Sequence, residues 1–129
     1  MKINIDVSVG ELLDKISILE IKYSKIEDKS KLKNITKELA SLNAVAKQTL
    51  SKYENLKKRL QELKEINLIL WGVEDEIREK ESKREFDNEF IRLARDVYYT
   101  NDKRFEVKNL INQELGSYIK EEKHYKKYS

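Results

Sequence analysis

The sequence contains no cysteine, which excludes disulfide bonds, thiolate zinc sites and cysteine nucleophiles. It has no proline and only 3 glycines, so very few of its 129 residues disfavour a helix. The single histidine, His124, lies in a charged C-terminal segment, and one histidine cannot supply the two Glu-x-x-His motifs found in dimetal bundles. We therefore expect an all-α protein with no metal and no cofactor.

Long apolar runs are also missing. No segment approaches the roughly 20 apolar residues that span a bilayer, and the N-terminus lacks the apolar centre of a secretion signal. Charged residues form 40% of the chain, with 27 basic and 24 acidic side chains intermingled and a net charge of +3. This balance argues against nucleic-acid binding, which favours a concentrated basic face. We expect a cytoplasmic location and no membrane span.

The N-terminal residues predict a short extended arm followed by the first helix. Ile3, Ile5 and Val7 alternate with polar residues, a period-two pattern typical of extended chain. Ser8 and Glu11 have the spacing of a capping box, so a helix is expected to start there. Apolar residues cover more than one stripe of this helix, which indicates that it packs against more than one neighbour.

The second helix is expected to begin at an N-cap, Ser30. From Leu32 to Leu63 the apolar residues keep one phase, which allows a single helix about 60 Å long that would need a partner subunit. Ser51 and Glu54 form a second candidate capping box, and it favours a break near residue 50 instead.

Two further helices are expected to form a hairpin. The third should cover about 52–84, and the fourth about 87–115, with Asp87 as its N-cap and Gly116 as its left-handed C-terminal cap. The whole chain, 1–129, is then one domain. We predict an elongated bundle of about four helices with long antiparallel hairpins, followed by a flexible tail at 117–129.

Polar residues interrupt the apolar seams of these last two helices. On the third helix the seam consists of Leu60, Leu63, Asn67, Leu70, Glu74 and Ile77. On the fourth it consists of Phe90, Ala94, Val97, Asn101, Arg104, Lys108, Ile111 and Leu115. Because the polar positions share the spacing of the apolar ones, both helices are expected to bring polar groups inward.

Hairpin geometry predicts which residues meet. In a hairpin that turns near 85–87, residues whose numbers sum to about 171 lie opposite each other. Asn67 then faces Arg104, and Leu63 faces Lys108. Other cations flank this seam, so the candidate ligand-binding residues are Asn67, Glu74, Arg78, Arg95, Asn101, Arg104 and Lys108, and no residue is assigned as catalytic.

Two interpretations of these residues remain open. In the first they form an internal network, with Glu74 bound to Arg78 or Arg104 and Asn67 bound to Asn101. This predicts a non-catalytic interaction or accessory module, either a homodimer or bound to another protein. In the second, the cations bind a phosphate or carboxylate of a small molecule, as arginine binds two oxygens at once. This predicts a small enzyme or sensor. We favour the first interpretation and therefore do not predict an enzyme.

The sequence resembles an uncharacterised family of short helical proteins from bacteria and their phages. The resemblance rests on VSVGELLDKISILEIKYSKI at 7–26, LWGVEDEIREKE at 70–81 and FIRLARDVYYTNDKRFEVKNLINQELGS at 90–117. Some members are encoded beside, or fused to, polysaccharide-synthesis and glycosyltransferase proteins. The resemblance therefore implies a link to surface-polysaccharide metabolism by association, but it implies no activity and no site residues.

Overall fold

A computed structural model describes residues 1–128, and within that range it contains four α-helices and no β-strand. The helices are α1 (Val9–Lys25), α2 (Lys29–Leu50), α3 (Leu56–Ser82) and α4 (Asn88–Glu114). The predicted all-α bundle is confirmed. Helix α1 packs against each of the other three helices, and α3 packs along α4. No helix in the described range is both long enough and apolar enough to cross a membrane.

Three predicted helix boundaries are confirmed by their capping geometry. The Ser8 hydroxyl accepts a hydrogen bond from the Glu11 backbone N–H at 3.1 Å, which begins α1. The Asp87 carboxylate accepts one from the Phe90 backbone N–H at 3.0 Å, which begins α4. Gly116 follows α4 with a φ of 57°, a left-handed conformation that glycine adopts without steric cost.

The predicted start of α2 is wrong, whereas the break that ends it is confirmed. Asp28, not Ser30, is the N-cap, and its carboxylate accepts a hydrogen bond from the Lys31 backbone N–H at 3.0 Å. Because this aspartate already satisfies a free donor of the first turn, the helix begins before Ser30 is reached. Helix α2 ends at Leu50, so a single continuous helix through this region is excluded.

The second capping box, at Ser51 and Glu54, is also wrong. Helix α3 begins later, after Asn55, which makes no side-chain capping bond. The connection is a turn, in which the Tyr53 backbone N–H donates to the Leu50 carbonyl at 3.0 Å. The turn forms here because the Tyr53 side chain packs against the apolar core, which fixes the chain before α3 can start.

Tyr53 also ties this turn to the end of α4. Its hydroxyl donates a hydrogen bond to Glu114, which also binds Arg59 of α3. Burial and the bond to Glu114 raise the pKa of Tyr53 to about 12. Hydrogen bonds from Arg59 and Tyr53 lower the pKa of Glu114 to about 2. The turn between α2 and α3 is thus held by both apolar packing and charge.

The apolar core lies around α1. Its buried members are Leu12, Leu13, Ile16, Ala46, Leu50, Leu63 and Ile111. Burying each large aliphatic side chain contributes about 1.5–3 kcal/mol, so this core is a principal source of stability. Residues 1–7 lie outside the helices and are exposed. Residues 117–128 form no helix either, and run back along α4.

Candidate functional site

Asp14 on α1 is the centre of a buried group of polar side chains, and its own side chain is 0% exposed. Arg104 of α4 binds both carboxylate oxygens, with its Nε 2.9 Å from Oδ1 and its Nη2 bonded to Oδ2. Asn67 of α3 donates from Nδ2 to Asp14 Oδ1 at 2.9 Å and to Ser17 Oγ at 2.8 Å. One carboxylate therefore joins three helices.

Lys108 lies one turn beyond Arg104 on α4 and is also buried. Its ammonium group contacts Glu11 of α1 at 2.7 Å and Glu121 at 2.8 Å. Glu121 also accepts a hydrogen bond from the Ser8 hydroxyl at 2.8 Å. Burial disfavours the charged form of Lys108, but the hydrogen bonds to the two carboxylates outweigh it and raise the pKa of Lys108.

Helices α1 and α4 are in close contact at Gly10. A Cβ atom at this position would lie 2.6 Å from the carbonyl oxygen of Lys108, so only glycine fits without movement. The Gly10 N–H donates to Asn112 Oδ1 at 2.7 Å, and the Val9 N–H donates to Ser117 Oγ at 3.3 Å. Side chains from the end of α4 and beyond thus satisfy donors at the start of α1.

We call this group the polar cluster; its members are Ser8, Glu11, Asp14, Ser17, Asn67, Asn101, Arg104, Lys108, Asn112 and Glu121. Its cations are Arg104 and Lys108, and each is paired with at least one carboxylate of the chain. The cluster connects α1, α3, α4 and the segment after α4. Its chemistry, as it stands in the structure, is internal charge pairing.

Four of the predicted site residues lie in the polar cluster. Asn67, Arg104 and Lys108 point inward, as their seam positions predict. Asn101 is half-buried, and its Oδ1 accepts a long hydrogen bond of 3.5 Å from Arg104 Nη1. The expected bond between Asn67 and Asn101 is wrong, because the Asn67 amide group donates to Asp14 and its neighbour Ser17.

The other three predicted site residues lie outside the polar cluster. Glu74 pairs with Arg78 at 2.9 Å along α3, one of the alternatives expected, and the Arg78 side chain is 72% exposed. Arg95 is exposed, and its Nη2 donates to the Tyr99 hydroxyl at 3.3 Å. Arg78 and Arg95 do not join Arg104, because each stands one residue beyond the seam and is rotated by about 100° from it. That any of the seven binds a ligand stays a prediction.

Sequence reasoning missed the carboxylates that pair with the inward cations. A signal for Asp14 was present, since Gly10, Asp14, Ser17 and Ile21 follow helical 4,3,4 spacing and line one face of α1. Small and polar residues on a face of an otherwise apolar helix indicate a close approach or a buried polar contact. For Glu121, which lies beyond the last helix, no periodic signal exists.

A groove of about 1250 Å³ lies between α4 and residues 117–128. On α4, Asn101, Arg104 and Lys108 line it together with Tyr98 and Phe105. The groove therefore combines aromatic faces with cations.

The opposite wall of the groove comes from the segment after α4. Lys123 forms an ion pair with Asp102. The Tyr128 ring packs against Tyr98 and Tyr99, with centroid distances of 5.1 and 5.0 Å. These contacts hold the segment against α4.

Fold and site together define a class of small all-α bundle whose interior charges are paired within the chain. The chain belongs to a family of unknown function (DUF6165), which matches residues 1–128. The expected resemblance to an uncharacterised family is thereby confirmed. No curated protein and no solved structure matches the chain.

Proposed function

We propose that the protein is a non-catalytic interaction or accessory module of the cytoplasm that acts through protein contacts, first of all as a homodimer. The observation that carries this proposal is the internal pairing of the polar cluster. Arg104 is bound by Asp14, and Lys108 by Glu11 and Glu121. Cations used in this way join helices and specify their register.

Exposed apolar side chains support the homodimer. In the N-terminal arm Ile3 is 74% and Ile5 75% exposed, and their period-two pattern suits pairing with another extended chain. On the outer face of α3, Ile69 is 57% exposed next to Gly72, whose surroundings are open. A glycine there costs about 1 kcal/mol relative to alanine, a cost that close approach of a second copy would offset.

Sedimentation velocity tests the homodimer, with wild type expected to sediment as a dimer at micromolar concentrations. Ile5→Asp should shift the equilibrium to monomer, because a charge at an apolar contact must be desolvated. Asn4→Asp is the matched control, since it adds the same charge to the polar face of the arm and should remain dimeric. A compact wild-type monomer throughout the micromolar range would refute the homodimer.

A second candidate function is favoured by the groove beside α4. It is a small enzyme or sensor that binds the phosphate or carboxylate of a small molecule, in keeping with the surface-polysaccharide link that the resemblance implies. Within residues 1–128, Lys126 and Lys127 line this groove without an ion-pair partner. They can add positive charge to that of Arg104 and Lys108, so binding would be electrostatic.

A thermal-shift screen of phosphorylated sugars, nucleotides and dicarboxylates tests this second function. A true ligand at about 100 times its Kd should stabilise the fold by roughly 2.7 kcal/mol. The double variant Lys126→Gln, Lys127→Gln should weaken the response. The double variant Lys33→Gln, Lys37→Gln on α2 is a charge-matched control and should leave the response to the ligand unchanged. A screen without hits, or hits insensitive to the groove lysines and to Arg104→Ala, would exclude this function.

A further inference from the structure

Residues 117–128, which we call the C-terminal strap, lie along α4 without helical structure of their own. Side chains hold the strap at its middle and at its end. In the middle, Glu121 binds Lys108 and Ser8, and Lys123 pairs with Asp102. At the end, the Tyr128 ring packs against two tyrosine rings of α4. A segment fixed mainly by side-chain contacts can open without unfolding any helix.

Glu121 is the one carboxylate of the polar cluster that does not come from a helix. Without it, Arg104 still has Asp14 and Lys108 still has Glu11, so two cations would face two carboxylates. Glu121 therefore adds a third negative charge that internal balance does not require. Charge balance alone therefore does not explain why the Glu121 carboxylate lies at Lys108.

The surroundings of the Glu121 carboxylate are those of an anion-binding site. It lies between the Lys108 ammonium and the Ser8 hydroxyl at the N-terminus of α1, where the helix dipole favours negative charge. At the same helix end Asn112 accepts from the Gly10 N–H; it is 1% exposed, and its Nδ2 has no hydrogen-bond partner within residues 1–128. A buried donor without an acceptor costs free energy that an added oxygen could recover.

The groove beyond Glu121 is much larger than one carboxylate side chain. Its volume of about 1250 Å³ compares with about 300–1,000 Å³ for most small-molecule pockets. Phe105 lines it one turn from Lys108, and Tyr98 lines it about 15 Å from Lys108 along α4. A ligand that fits both the anion position and the groove therefore has a phosphate or carboxylate at one end and a flat or apolar body.

We propose that Glu121 is an internal stand-in for an anionic small molecule, whose phosphate or carboxylate binds at Ser8 and Lys108 when the Glu121 side chain releases them. The ligand body then lies along Tyr98 and Phe105. This inference rests on the second candidate function and adds its regulation, because the strap competes with the ligand for the same cation.

Phosphate titration of the full chain, followed by the backbone amide signals of Ser8 and Lys108, tests the inference. Glu121→Gln removes the competing charge and keeps the side-chain shape, so it should bind inorganic phosphate at least about tenfold more tightly than wild type. Glu122→Gln, the same change on the exposed neighbour, should bind as wild type does. Adding Lys108→Gln to Glu121→Gln should remove the gain.

The outcomes separate this inference from the function on which it rests. Equal phosphate binding at Ser8 and Lys108 in wild type and Glu121→Gln would overturn the role of Glu121 and leave the anion site standing. Binding to neither protein would overturn the inference, and a negative ligand screen would then exclude the second function independently. A gain that Glu122→Gln reproduces would also overturn it, because general charge would be the cause.

Discussion

Asp14→Ala is expected to destabilise the fold by about 3 kcal/mol, the low end of the range for breaking a buried ion pair from one side. The loss is large because Arg104 and Asn67 would both lose a buried acceptor at once. It stays at the low end because the Arg104 side chain is 28% exposed and can recover contact with water. Small domains have a total stability of about 5–15 kcal/mol, so the change should be readily measured.

Urea unfolding followed by circular dichroism at 222 nm measures this loss. Glu74→Ala is the matched control, since it removes a carboxylate from the surface pair with Arg78. Exposed pairs of this kind contribute about 0–1 kcal/mol. If Asp14→Ala proved no more destabilising than Glu74→Ala, the buried pair would not hold the helices together.

Gly10→Ala and Gly72→Ala are expected to change stability in opposite directions. At Gly10 the new methyl group would overlap the Lys108 backbone and press on Asn112, and over-packing of this kind costs about 1–3 kcal/mol. At Gly72 no atom outside the adjacent helix backbone lies within 4 Å of the new methyl group, so alanine should stabilise the monomer by about 0.5–1 kcal/mol through its helix preference.

Thermal and urea unfolding of the two alanine variants provide the comparison. Each variant adds one methyl group inside a helix, so comparing the two separates the effect of close packing on stability from the effect of helix propensity. Stabilisation by Gly10→Ala would contradict the close approach of α1 and α4. Destabilisation by Gly72→Ala at concentrations where the wild type is a dimer would indicate that a second copy covers this face.

Local chemistry explains which features of the fold could be predicted. The caps at Ser8, Asp87 and Gly116 depend on short-range hydrogen bonds and backbone preference, and all three are confirmed. The error at Ser30 arose because two acceptable caps competed, and the aspartate two residues earlier is the one that caps α2. At Ser51 no second cap competes; instead Tyr53 packs against the core in the turn that precedes α3.

For the site, spacing predicted correctly that Asn67, Arg104 and Lys108 point inward, but not their partners. It was wrong for Glu74, which stands on the seam of α3 but pairs with the exposed Arg78. Asn67 and Arg104 do lie near each other, as the hairpin geometry predicts, yet both bind Asp14 of a third helix. Pairing rules for two helices contain no information about a third. The contacts of Glu121 could not be predicted from the sequence, because a residue in an irregular segment has no periodicity that indicates its neighbours.

A double-mutant cycle between Asp14 and Arg104 tests most directly whether a buried polar cluster organises this bundle. Unfolding free energies are measured for wild type, Asp14→Asn, Arg104→Gln and the double variant. We predict a coupling energy of at least about 1 kcal/mol, as found for groups in direct contact. A coupling below about 0.3 kcal/mol would mean that the two side chains act independently and would contradict the account.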